Sequence, residues 1–482
     1  MSDKNTPTIS DADLASMQRH ADPLADETIA EILGPWPPGI PGKDAAQWAR
    51  IDTVNTLFAT WTTNASIDGW DTPQPKDAAI VAALQAYLAT GQVLPEWADK
   101  EKIKRAEKLF FDHGALSCIL LFCASLPECY VIPDLSSVLH TAGQLEQRTE
   151  YRIRSTAAMI FPVMMHGGLT RGDGAGVAQI LKVRLIHATI RNLIMRGSPE
   201  AAVKDLLTNL NIVGAGNLGE LPGLQPKPTM YQALFARGWD LPRHGLPCNQ
   251  EELAYTLLTF GYVFLRSMRR LGIGLPRHDE EAYLHAWNVV GHILGIERSL
   301  MVETMDQGKE LMARMQARGR AEPVTPDPRP GLGQALMNTM ANAIPWSIVK
   351  PFPQLMTRFL CGRETAGDLG LTKSVPWSSA LLFWGVLLVA RVIDYLLRKV
   401  MPRFSIVRAL TRVLGYHFMS QVLLSQTRPL QLPTELLNQV DGMVNSWSDD
   451  PDAPKWINKL EDRLTKHGSW SVNLSSTAKD AA

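Results

Sequence analysis

Val183-Arg184-Leu185-Ile186-His187-Ala188-Thr189-Ile190-Arg191 is the stretch that decides how this chain is read. Apolar residues recur around it at helical spacing, through Val177, Ile180, Leu181, Ile190 and Ile194, and predict a helix over 176–196 with one buried side. Within that helix Arg184 stands at i−3 and Arg191 at i+4 from His187, so the three side chains share a face. Two nearby cations disfavour a third, and the imidazole is expected to be neutral at pH 7. A neutral imidazole can ligate a metal, and the guanidinium groups beside it can hold carboxylates. A haem offers both partners, an iron and its propionates. The plainer alternative is a core histidine on a basic surface helix, and spacing alone leaves both open.

Outward from this helix the chain reads as helical almost throughout, because Leu, Ala and Met are abundant and period-two alternation is scarce. The periodicity predicts helices over 45–62, 76–91, 98–112, 114–127, 134–146, 147–165, 176–196, 199–210, 229–236, 249–272, 278–304, 306–318, 333–342, 346–360, 377–399, 403–424, 433–446 and 454–466. Asn249 ahead of Glu251 and Glu252 marks an N-cap followed by first-turn acids, and Ser198-Pro199 marks another start. Gly197 and Gly272 are candidate C-terminal stops. Breaks fall at 35–41, 167–176, 213–228, 237–247 and 323–333, none with a composition shift that marks a domain boundary. The expected organisation is a disordered N-terminus over 1–12, one large helical domain over 13–446 with its core at 98–304, and a C-terminal helix and tail over 447–482. The fold class is therefore all-α, a central bundle with extra N- and C-terminal helices.

Charge and cysteine usage exclude several classes. The 482 residues carry 48 basic and 48 acidic side chains, so no basic excess supports non-specific nucleic-acid binding. Cys118, Cys123, Cys129, Cys248 and Cys361 form no CxxC, which argues against a zinc ribbon or a covalently attached c-type haem. Buried thiols in a reducing, cytoplasmic setting are expected. The first residues lack a charged region followed by an apolar one and do not read as a signal peptide. The most apolar run, 380–390, is too short to span a bilayer, which takes about 20 residues. The wider segment 375–400 reads as a core helix, with a helix resting on a membrane surface as the alternative.

Other constellations are weaker. Arg152, Ser155 and Thr156 make a polar ridge leading into an apolar stretch, suited to a propionate or a bound oxygen, or simply to a solvated helix start. Trp287, Gly291 and Gly295 leave a shallow strip at i, i+4 and i+8, more often a helix-packing face than a ligand site. His285 and His292 face one way but lie about 10 Å apart by helix rise, too far for one metal. Glu281-x-x-x-His285 is not the E-x-x-H of di-iron bundles. The glycine-rich 172–176 follows no predicted strand, and no G-x-S-x-G or P-loop motif occurs.

Several short pieces, taken in order, resemble one family. They are His20-Ala21-Asp22-Pro23-Leu24-Ala25-Asp26; Phe110-Phe111 with His113-Gly114; Ser125-Leu126-Pro127; Thr141 with Gly143-Gln144-Leu145; Arg152-Ile153 with Thr156; Gly167-Gly168-Leu169; Arg184 to Arg191; Asn249-Gln250 to Leu271-Gly272; Glu281-Ala282-Tyr283; and Trp287 to Gly295-Ile296. From about 17 to 304, with a looser tail to about 445, the chain resembles the latex-clearing-protein and mycophenolate-pathway oxygenase superfamily, the rubber-oxygenase catalytic domain. The resemblance implies an all-α fold with a globin-like centre and a non-covalent b-type haem. It puts the proximal iron ligand on His187 and conserved positions on Arg184, Arg191, Arg152 and Thr156. It implies use of dioxygen to cleave a carbon–carbon double bond in an apolar, alkenyl small molecule or polyisoprenoid. Ser155 stands where the rubber-cleaving members look to carry a lysine, and Ser136 where they look to carry a glutamate, the nearest acids being Asp134 and Glu146. Here Arg152, Ser155 and Thr156 would flank an open or water-bound distal position. Two other readings stay open: a non-catalytic haem sensor or carrier, and a haem-free helical scaffold at a membrane surface.

Overall fold

All regular elements among the described residues of the computed structural model are helical. Those residues are 9–35, 46–72, 77–143, 149–197, 239–322, 324–344 and 346–397. The helices predicted over 199–210, 229–236, 403–424, 433–446 and 454–466, and the Ser198-Pro199 start, lie outside them.

The chain begins earlier than expected. Helix α1 (Asp11–Met17) is closed by a capping box between Ser10 and Asp13, so order reaches into the segment read as disordered over 1–12. Helix α2 (Pro23–Leu33) was not predicted, although Asp22 caps it and Pro23 occupies its first turn. It buries Ala25, Ile29, Ile32 and Leu33. Helices α3 (Ala46–Phe58), α4 (Asn64–Ile67), α5 (Ala78–Gly91) and α6 (Lys100–Asp112) follow. The predicted helix over 114–127 is a composite: α7 (Gly114–Leu120), a π-helical turn over 121–125, and α8 (Leu126–Cys129). Pro127 gives the reason, since it has no amide to donate and its ring crowds the carbonyl of Cys123 four residues back.

Helices α9 (Pro133–Gly143), α10 (Thr149–Met164) and α11 (Gly176–Arg196) form the middle of the chain, and α10 packs along α11. After a short α12 (Leu241–His244), the single helix predicted over 249–272 is broken into α13 (Gln250–Phe260) and α14 (Tyr262–Leu271). The break is Gly261, which has no side chain to hold the turn and lies against Leu284 and Trp287. Asn249 caps α13 as expected, accepting from the Glu252 amide at 3.0 Å, and Gly272 ends α14 at φ 85°. Gly197 also ends its helix, but at φ −63° rather than in the left-handed region.

Helix α15 (Arg277–Ile293) packs on α6 and stops well short of the predicted 304. Gly295 at φ 86° stops it, and the Ile296 amide turns back to the Gly291 carbonyl at 2.8 Å. Helices α16 (Met305–Ala321), α17 (Arg329–Asn342), α18 (Phe352–Cys361) and α19 (Arg363–Asp368) complete the body.

The last described helix, α20 (Trp377–Leu397), corrects an expectation. Over its described part, 375–397, the segment read as a core helix is largely exposed: Trp377 is 79 % exposed, Tyr395 68 % and Leu381 66 %. Among the described side chains of this helix, Phe383, Leu387 and Ala390 form the buried apolar line. Periodicity could not distinguish the two, because a helix apolar on every side has no polar face to point outward. The stretch 377–395 is long and apolar enough to cross a membrane.

Candidate functional site

His187 sits in α11 on a frame of buried ion pairs. Burial pushes its imidazole from 6.5 down to about 4, and the Arg191 guanidinium adds to the shift. The ring is therefore neutral at pH 7, as expected, but desolvation is the larger cause. The Asp22 carboxylate acts the other way and raises the pKa, and Asp22 is the partner of Arg184. Arg184 Nε donates to Asp22 at 2.5 Å and its Nη2 to the other Asp22 oxygen at 2.7 Å, with both side chains buried. Nη1 of Arg184 donates to the Ile293 carbonyl at 3.0 Å. Arg191 meets Asp26 at 2.7 Å and donates to the carbonyls of Pro247 and Cys248. Between these anchors, His187 Nδ1 is shut from solvent and has no hydrogen-bond partner.

The frame also explains why scattered sequence pieces occur together. Asp22 and Asp26 come from the stretch before and inside α2, Arg184 and Arg191 from α11, and Gln250 from the start of α13. Gln250 Nε2 donates to the carbonyls of Ala21 at 2.7 Å and Gly295 at 2.8 Å, and its Oε1 accepts from the Glu297 amide. Gly295 is needed at its place: a Cβ there would lie 2.6 Å from Asp22 Oδ2 and 2.8 Å from Arg184 Nη2. Sequence reasoning named the arginines but missed their partners. The partner acids lie 162 and 165 residues away, so no local spacing announces them.

Arg184 and Arg191 thus anchor the α11 helix through bonds to protein carboxylates and backbone carbonyls. Arg152, Ser155 and Thr156 lie on α10, whose contact with α11 brings the two predicted groups onto adjacent helices. The chain reverses between them, and Val163 Cα lies 3.0 Å from where a Cβ on Gly176 would be. Counted from that contact, Thr156 is seven residues back from Val163 and Arg184 eight on from Gly176, so the two fall within about one residue's rise of the same level. Thr156 is half-buried, and the side chains of Arg152 and Ser155 lie outside the described residues. Ser136 is fully buried and donates to the Tyr130 carbonyl at 2.6 Å, so it works in a turn.

The remaining motifs have structural employment. His285 Nε2 accepts from the Asp99 amide at 2.9 Å, His285 and His292 both pack edge-on against Trp97, and Arg298 lies over the Trp97 ring. Gly291 admits Leu257 closely, the packing use expected of that strip. All five cysteines are buried, as expected, and burial pushes the thiols of Cys123 and Cys248 up to about 12.

Two buried acid sites escaped the sequence. Glu107 on α6 accepts from the Gly167 amide at 3.0 Å, leaves Oε1 without a partner, and is raised by burial to about 7. Asp134, Glu252 and Glu322 approach His244 from three further elements, and burial raises Glu252 to about 8. His244 is the last residue of the short α12, five residues ahead of Asn249, with no motif to mark it.

A family model described as ER-bound oxygenase mpaB/B′/rubber oxygenase, catalytic domain, matches residues 227–393. It begins after α11, and so takes in Gln250 and Gly295 of the frame but not His187, whereas the resemblance read from the sequence had its centre further toward the N-terminus. The rubber oxygenase of Streptomyces sp. (strain K30) is 22% identical over 332 residues, 67% of either chain. The structure of latex clearing protein LCP in the closed state is similar with a TM-score of 0.55 and 17% identity, covering 89% of this chain and 90% of that one. That likeness speaks for the all-α fold. Taken together, the family match over 227–393, the curated relative and the shared fold support a likeness of this chain to the latex-clearing-protein and rubber-oxygenase superfamily.

Proposed function

We propose that this protein is a haem-b-dependent oxygenase that uses dioxygen on an apolar, alkenyl or isoprenoid-like substrate and cleaves a carbon–carbon double bond to carbonyl products. The observation that carries the reading is His187 Nδ1, a buried, neutral and unpartnered nitrogen on a helix pinned at both flanks. An imidazole nitrogen kept from water and from hydrogen bonds is a metal-ligand donor held in reserve. When bound, a haem would supply the redox chemistry toward dioxygen.

This chain's own residues would do the rest. His187 would hold the iron. The Asp22–Arg184 and Asp26–Arg191 pairs would fix the direction of its ring by immobilising one turn on either side. Arg152, Ser155 and Thr156, on the neighbouring helix, would line the oxygen side or hold a propionate. A serine at 155 would offer a bound iron no strong ligand.

The test is dioxygen uptake by the purified, haem-loaded protein with terpenoid or polyisoprene substrates, with products trapped as hydrazones. Substrate-dependent uptake with carbonyl formation supports the proposal. Reversible oxygen binding without consumption, or a low-spin spectrum with two strong protein ligands, would contradict it. We place the protein on the cytoplasmic side with α20 resting on a membrane, because that helix exposes a broad apolar surface.

A further inference from the structure

The second buried acid site lies apart from His187 and has the make-up of a metal centre. One nitrogen of His244 and one carboxylate oxygen each from Asp134 and Glu322 all lie within 4.8 Å of one another. His244 Nδ1 is 2.8 Å from Asp134 Oδ1. Ligand atoms around one tetrahedral ion with bonds of about 2.1 Å stand roughly 3.4 Å apart, so small side-chain adjustments close this set on a cation.

An independent observation comes from Glu252. Its side chain lines the same cavity and is 5 % exposed, yet no side chain answers its carboxylate and neither oxygen makes a well-formed hydrogen bond, the Cys248 and Asn249 amides being the polar groups that approach it. The neighbouring Glu251 is answered by Arg318 at 3.0 Å, which leaves Glu252 without that cation. The cavity, about 20 Å³, takes one water or one ion and nothing larger. Carboxylate oxygens and the lone-pair nitrogen of an imidazole are metal-ligand atoms, and one cation would bind them together.

The backbone is shaped for the approach. Gly319 of α16 meets Ile132 so closely that a Cβ would lie 2.6 Å from the isoleucine Cδ1. That contact brings the end of α16, with Glu322, against the start of α9, with Asp134. We propose that Asp134, His244 and Glu322 bind one first-row divalent metal ion, with Glu252 facing it across the cavity. The mixed nitrogen and oxygen donors favour zinc, manganese or iron over magnesium and calcium, which take oxygen donors. The ion would tie α9, α12 and α16 together one step from the frame, since Arg191 donates to the Cys248 carbonyl four residues before Glu252.

The experiment is equilibrium dialysis of the full-length, chelator-treated protein against Zn2+, with zinc and iron counted in the same samples. Wild type is expected to retain one zinc per chain. His244→Ala and Glu322→Gln are each expected to weaken zinc binding by at least about 10-fold, with iron content unchanged. Glu322 is exposed, so its variant keeps the fold, and Glu96→Gln at a distant exposed site serves as control. Sub-stoichiometric zinc in wild type, or equal binding by Glu322→Gln, would overturn the proposal. Loss of iron with zinc retained would instead count against the haem reading and leave the zinc result standing in favour of this one.

Discussion

At the scale of single residues, the frame around His187 depends on matched charges in a water-poor setting. Removing one partner of a buried pair leaves the other charge stranded, at a cost of about 3–5 kcal/mol. Asp22→Asn is therefore expected to lower stability by about 3 kcal/mol, read from chemical denaturation, while Asp71→Asn on an exposed loop changes it by under about 0.5 kcal/mol. Gly295→Ala combines a left-handed backbone with a contact on Asp22 and Arg184, and a loss of at least about 2 kcal/mol is expected. A wild-type melting curve from that variant would contradict the crowding at this corner. Glu107 supplies a pH test. Its pKa rises from 4.5 unfolded to about 7 folded, so the folded chain keeps a proton that the unfolded chain releases. Its contribution is full below about pH 4.5 and is lost as pH rises through about 7, by about 3 kcal/mol. Glu107→Gln keeps an acceptor for the Gly167 amide and offers an amide donor to the polar surroundings, and its stability is expected to lack that slope between pH 4.5 and 7. The same slope in the variant would assign the effect elsewhere.

At the scale of elements, what was legible followed local signals and what was missed followed distant ones. The α11 helix, the Asn249 cap and the Gly272 stop were readable because their cues lie within one or two turns. Helix α2 had a local cue in Asp22-Pro23 that went unused. The end of α15 was overrun because Gly295 is held by Asp22 and Arg184 from distant parts of the chain, and the end of α13 because Gly261 stands in an otherwise continuous apolar period. Of the site, His187 and its neutrality were legible, whereas Asp22, Asp26, Gln250 and the His244 cluster become visible when the chain folds back on itself. Helix α20 shows the limit of periodicity, since a uniformly apolar segment suits a core and a bilayer equally. If it meets lipid, the protein should float with liposomes of mixed neutral and anionic lipid. Leu381→Asp with Leu388→Asp, both at exposed positions, should abolish flotation without changing far-UV circular dichroism. Equal flotation by the double variant would remove α20 from that role.

At the scale of the whole molecule, the likeness to latex clearing protein extends over most of both chains, while the family match covers the C-terminal part that contains Gln250, Gly295 and α16 to α20. The shared architecture is consistent with a scaffold whose ion pairs and glycine corner hold one histidine helix in place. The central claim is that His187 holds the iron of a haem. The most direct measurement is the absorption spectrum of the purified protein, wild type beside His187→Ala, with folding checked by circular dichroism. The account predicts a Soret band in the wild type that is lost or strongly shifted in a folded variant, and an identical band in both would contradict it.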